Sequence, residues 1–290
     1  MTKRFFRRHK GRGSYDLFSS YTHYLPGIGG VCGLLAMFAI GALLGNLVTI
    51  VLNFTLGDAF TANYGVLISY PVMFIPALLF ASVQSRLHEY NTEAVALDRN
   101  DGLKGKVLLY VFAGIFSTIA AAYVIEPVNS LLPPMPETLK ALFKQILERT
   151  PFWATIVSVS LFAPLFEEWL CRGLVLRGLL HKVSPWAAIS ISAAFFAVLH
   201  VNPWQAIPAF LLGSLFGYIY YKTGSLKLTM LMHCTNNTMA AILSKVPAFK
   251  DAETFMDVLS PVAYWCIYAA CLTVVFCTIL IFKTKEEARN

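Results

Sequence analysis

Two adjacent carboxylates, Glu167 and Glu168, sit in the apolar string SLFAPLFEEWLCRG. A carboxylate in hydrocarbon costs roughly 2.5–3.5 kcal/mol on insertion scales, so a residue of this kind marks a functional site by default. Two further apolar strings carry the remaining chemistry: His200 ends AAFFAVLH, and His233 and Asn237 lie in LTMLMHCTNN. The other acidic residues fall in termini or connections, with Glu126 at a span end.

Spacing sharpens what these types can do. Glu168 and Arg172 are four apart in the favourable order for a helical ion pair. Arg172 is read as close enough to an interface to reach water if Glu168 is neutralised. Glu167 is offset from Glu168 by about 100° on a helix of 3.6 residues per turn, so it faces a different neighbour. His233 and Asn237 share one helix face, as do Phe196 and His200. The set suits amide hydrolysis. A carboxylate in apolar surroundings is a stronger base than one in water and can activate a water molecule near neutral pH. A nearby imidazole can hold that water, while His233 and Asn237 can offer N–H groups to a tetrahedral oxyanion.

Each residue also has a plainer reading. Glu168–Arg172 could be a structural pair, and a lone His or Asn in a span often joins helices by a hydrogen bond. Glu167, His200 and His233 could instead hold zinc as a His₂Glu set with an open position. Cys171 and Cys234 adjoin the motifs without a clear activating base and read as packing residues.

The elements that must position these groups are membrane helices. The chain has 290 residues, 57% of them hydrophobic and 13% charged, with a mean hydropathy of +0.62. A soluble domain carries about 25% charged residues, so a soluble enzyme is excluded, as are a disordered tail and a disulfide scaffold. Apolar runs predict eight spans, at about 27–53, 64–84, 107–126, 152–175, 186–202, 205–221, 225–244 and 261–282. The fold class is therefore an all-α polytopic membrane protein. Residues 1–26 form a basic N-terminal segment and 27–282 one transmembrane domain with its motif-bearing core at about 150–245. Residues 283–290 form a tail.

The net charge of +7 owes much to Lys3, Arg4, Arg7, Arg8, Lys10 and Arg12. That cluster reads as a topology signal facing anionic lipid, not as a nucleic-acid site. Arg172, Arg177 and the other basic residues of alternate connections add to the same side, which places both termini in the cytoplasm. Within the connection 127–150, the string TLKALFKQILERT (138–150) repeats Leu139, Leu142, Phe143, Ile146 and Leu147 at helical spacing, predicting a helix in the membrane interface. Residues 245–260 predict a weaker one. Gly213 and Gly217 form a GxxxG pair that reads as internal packing. One conflict arises: His200 lies far along its span, whereas His233 lies only about two turns into its own. The two meet only through tilt or shifted boundaries.

These strings resemble a known family. Glu167–Glu168 with Arg172 reads as EExxxR, Phe196 to His200 as FxxxH, and His233 to Asn237 as HxxxN, with TGSL at 223–226 between the last two. Their order and spacing resemble the CPBP family, which takes in CAAX prenyl proteases and bacteriocin-processing or immunity (Abi) proteins. The resemblance covers residues 150–245 and implies an intramembrane glutamic protease without a cofactor. In that reading Glu167 activates water with His200, His233 and Asn237 support the oxyanion, and Glu168 and Arg172 organise the site. The implied partners are a membrane-associated or lipidated peptide and the bilayer, in a multi-pass protein of a prokaryotic plasma membrane. Two other classes compete: a non-proteolytic scaffold or immunity protein, and a transporter or proton relay. The intact motifs disfavour the first, and the lack of inverted repeats disfavours the second.

Overall fold

A computed structural model describes residues 19–283, apart from 101, 102, 104, 130, 250, 251 and 253. Most of the basic N-terminal segment and nearly all of the tail lie outside the described residues. Among the described residues the chain is all helical. We label the principal helices α1 (Ile28–Leu56), α2 (Asp58–His88), α3 (Val107–Asn129), α4 (Glu137–Arg149) and α5 (Phe152–Leu179). They continue as α6 (Pro185–Leu199), α7 (Pro203–Thr223), α8 (Leu226–Leu243) and α9 (Pro261–Lys283). Five of these, α1, α2, α3, α5 and α9, are long and apolar enough to cross a membrane. The protein is an integral membrane protein.

The other three predicted spans are helices too, each with a local reason for falling outside that class. Helix α6 has 15 residues and at 1.5 Å per residue extends about 22 Å, less than a hydrocarbon core of about 30 Å. Helix α8 dilutes its apolar residues with Thr229, His233, Thr235, Asn236, Asn237 and Thr238. Helix α7 is long enough at 21 residues, but Trp204 and Gln205 at its start and Tyr218, Tyr220, Tyr221 and Lys222 at its end lower its apolarity. A sharp turn separates it from α6. Val201 is left-handed (φ 60°), and Asn202 caps α7 by accepting from the Gln205 N–H at 2.9 Å. The span expected at 186–202 therefore ends at Leu199, and His200 is its cap, not an interior residue.

The TGSL string is a two-residue hinge. Gly224 takes the left-handed conformation (φ 67°) that ends α7. Ser225 then caps α8 by accepting from the Leu228 N–H. Asp98 accepts from the Leu226 N–H at 2.9 Å, a carboxylate placed where the helix dipole favours it.

Helix α5 is the centre of the molecule: α2, α6 and α8 all pack on it. It is α-helical over Ala163–Glu168 and π-helical on both sides, at Ile156–Phe162 and Trp169–Leu176. Pro164, which lacks an N–H to donate to the ladder, sits at the junction of the first π-helical stretch with the α-helical turn. Helix α1 lies along α2, α6 along α7, and α9 along α3. Helix α4, at Glu137–Arg149, forms where the periodicity of 138–150 predicts a helix; the side chains of Phe143, Ile146 and Leu147 lie outside the described residues. Among the described residues of 245–260, by contrast, there are two short 3₁₀ turns, Pro247–Phe249 and Phe255–Asp257, and no interfacial helix. The sequence there has no sustained 3.6-residue repeat to extend either turn.

Candidate active site

The short α-helical turn of α5 delivers Glu167 and Glu168 to different neighbours, as their angular offset requires. Glu168 is fully buried. Its Oε1 accepts from Arg172 Nη1 at 2.8 Å and from His233 Nδ1 at 3.0 Å. Arg172 is equally buried, which corrects the expectation that it lies near an interface. Its second guanidinium nitrogen donates to the Gly213 carbonyl at 2.8 Å, and its charge lies over the rings of Phe196 and Phe216, 4.8 and 5.6 Å away. A cation held between aromatic faces is stabilised by their quadrupoles without water.

That arrangement explains the GxxxG pair. A Cβ at Gly213 would stand 3.1 Å from the Arg172 guanidinium and 3.0 Å from Phe196. One at Gly217 would stand 3.3 Å from Ile189. The pair packs α7 on α6, as expected, and Gly213 also leaves the guanidinium its room.

Glu167 is nearly buried, with 13% of its side chain exposed. Its Oε1 accepts from the Tyr70 hydroxyl of α2. Its Oε2 has no hydrogen-bond partner among the described residues and lies 3.9 Å from His233 Nε2. The His233 imidazole thus stands between both carboxylates, one on each ring nitrogen.

His200 lies at the edge of this group. Its Nδ1 is 2.9 Å from the Phe196 carbonyl. A carbonyl only accepts, so Nδ1 carries the proton and Nε2 of the neutral ring keeps its lone pair. Phe196 joins the two imidazoles: its ring contacts that of His200 at 4.9 Å and that of His233 at 5.4 Å, both edge to face. Phe196 bridges the two imidazoles although α6 starts at Pro185, almost where the sequence predicts. Asn237, one turn beyond His233, donates one amide N–H to the Val159 carbonyl of α5 at 2.8 Å. An amide nitrogen has two N–H donors, so the second is free of that bond.

Among the described residues no three His, Cys, Asp or Glu side chains are grouped to share a metal ion. The structure brings Glu167, Glu168, Arg172 and His233 into one connected set. It joins His200 through Phe196 and ties Asn237 to the backbone of α5.

Residues 149–239 match the Rce1-like family model, described as type II CAAX prenyl endopeptidase Rce1-like. This is the CAAX-protease family that the three motifs resemble. No curated protein and no solved structure matches the chain. The Rce1-like segment runs from Arg149, at the end of α4, into α8, and so takes in every motif residue named above.

Two participants lie outside what the motifs signal. Tyr70 belongs to α2, outside the Rce1-like segment, and nothing marks a tyrosine in ISYPVMF as special. Arg177, read as a topology charge, is buried and donates to the backbone carbonyls of Tyr21, Thr22, Tyr24, Val95 and Gly173. It fastens two loops to the end of α5. The faint signal for it was a second cation, five residues past Arg172 on the helix that carries Glu167 and Glu168.

Proposed function

We propose that the protein is an intramembrane endopeptidase that hydrolyses a peptide bond of a membrane-associated or lipidated substrate. The observation that carries this reading is Glu167, with one oxygen held by a phenol and the other unpartnered beside an imidazole. In the proposed reaction Glu167 Oε2 takes a proton from water as the water oxygen bonds to the peptide carbonyl carbon. The carbonyl oxygen becomes an oxyanion, which accepts from the free Asn237 N–H and from Nε2–H of protonated His233. The C–N bond then breaks, and Glu167 returns its proton to the leaving amine. The His200 Nε2 lone pair accepts from the same water and aligns it. Glu168 and Arg172 fix the His233 ring through Nδ1.

The proposed reaction draws its nucleophile from water activated by Glu167 and calls on no metal. We propose eight membrane-embedded helices in a prokaryotic plasma membrane; the excess of Lys and Arg on one side supports both termini being cytoplasmic. Its partners are then the peptide substrate and the bilayer, with no nucleic acid.

The test uses purified protein in liposomes and a fluorogenic farnesylated peptide ending in a CAAX sequence. Wild-type protein cuts it, and a chelator leaves the rate unchanged. Glu167→Gln lowers the rate by about 10²–10⁴-fold, the range for loss of a general base. Cleavage by Glu167→Gln at the wild-type rate would falsify the assignment, and loss of cleavage with chelator would restore the zinc alternative. A wild-type protein inert on peptides would favour the scaffold reading.

A further inference from the structure

We propose that Tyr70 is a positioning residue for hydrolysis, holding Glu167 so that Oε2 alone faces the reacting water; this rests on the general-base role proposed for Glu167. The two oxygens of a carboxylate are chemically equivalent, and a glutamate side chain has three torsions to turn about. Something must choose which oxygen meets the water. Tyr70 does so by donating to Oε1, which leaves Oε2 as the oxygen 3.9 Å from His233 Nε2. A hydrogen bond to an ionised group is stronger than a neutral one, so one phenol suffices to fix the orientation.

The phenol is itself held from two directions. Its ring meets Phe74 at 5.5 Å, and Phe74, almost fully buried, stacks on Phe166 at 5.1 Å. Phe166 directly precedes Glu167, so the aromatic row ties Tyr70 to the turn that presents the carboxylate. From the other side α1 presses on the α2 backbone around Tyr70. A Cβ on Gly41 would overlap the Met73 carbonyl, and one on Gly45 would stand 3.0 Å from the Ser69 carbonyl. The GALLG string of α1 thus lets two helices meet at backbone distance next to the phenol. A helix pair outside the Rce1-like segment supplies one oriented donor to the site within it.

A purely structural Tyr70 would affect stability and leave turnover alone, so the test separates the two. The farnesylated CAAX peptide is assayed in liposomes with wild type, Glu167→Gln, Tyr70→Phe, and protein carrying 3-fluorotyrosine in place of Tyr70. Tyr70→Phe should lower kcat by about 10- to 100-fold, the worth of a hydrogen bond to a charged group. KM should stay within about twofold, as expected when ground-state binding is untouched. The fluorinated ring keeps the shape and the donor but makes a more acidic phenol, so kcat should change by about a few fold with Tm unmoved. If Tyr70→Phe does not fold, the fluorinated protein decides alone. Wild-type kcat in every folded Tyr70 variant, beside an inactive Glu167→Gln, would overturn this inference and leave the proposed function standing. Wild-type protein inert on the peptide, or Glu167→Gln fully active, would overturn both.

Discussion

Helices α5 and α9 are both long enough to cross a membrane, yet they handle charge in opposite ways. Half of the most apolar stretch of α5 is buried within the protein, against 11% of that of α9. Helix α5 carries Glu167, Glu168, Arg172 and Arg177; α9 carries no charged residue before Lys283. A charge in hydrocarbon persists only where partners surround it. Helix α5, with α2, α6 and α8 against it, offers partners on several faces. Helix α9 packs on α3 and shows side chains such as Val262 and Phe276 outward, a face that suits lipid. Central placement is therefore what lets this protein keep a cluster of charged side chains within its apolar helices.

That contrast can be broken most severely at Arg172. Arg172→Ala leaves Glu168 charged and without its cation, at a cost of about 3–5 kcal/mol. Glu168→Gln keeps an oxygen for both Arg172 and His233 and should cost less. Thermal unfolding of the two purified variants checks the order, and equal Tm values would contradict it. Asn237→Ala should lower kcat by about 10²–10³-fold with substrate binding retained. If KM rises at unchanged kcat instead, Asn237 binds substrate and does not stabilise the oxyanion.

A smaller effect is expected where α1 meets α2. Gly41→Val forces a side chain into the Met73 carbonyl, and overpacking of this kind costs about 1–3 kcal/mol. Because the displaced backbone carries Tyr70, kcat should fall along with Tm; a lowered Tm at full kcat would uncouple that contact from the site. The smallest effect belongs to the periphery. Phe276→Ala in α9 removes a ring that is 62% exposed, and exposed substitutions usually stay within about 0.5 kcal/mol. A large loss of Tm in detergent would show that Phe276 packs against protein, and would weaken the contrast between the two helices.

Much of the site was legible because its rules are local. Glu168 and Arg172 pair four residues apart whatever surrounds them, and the pairing holds even though α5 turns π-helical at Trp169. His200 and His233 stood out as costly side chains in apolar strings. The end of α6 was harder to read. The apolar run continues through Val201, but the backbone turns at His200, and Val is a poor indicator of a left-handed residue. Tyr70 was illegible for a different reason. A tyrosine is common in a span, and only the fit of α2 against α5 brings its hydroxyl to Glu167.

The sequence by itself determined that this chain is a helical membrane protein, where its apolar helices run, and which carboxylates and imidazoles sit in them at a cost. Those properties follow from composition and from intervals of three and four residues, which act within one helix. Only the tertiary structure decided which nitrogen of His233 meets which carboxylate, that Arg172 is shut away from water, and that α2 reaches across to hold Glu167. Each of these depends on how helices far apart in the chain pack side by side. Glycines at 41, 45 and 213 set that packing by what they leave out, and a missing side chain reveals its purpose only when its neighbour is in place.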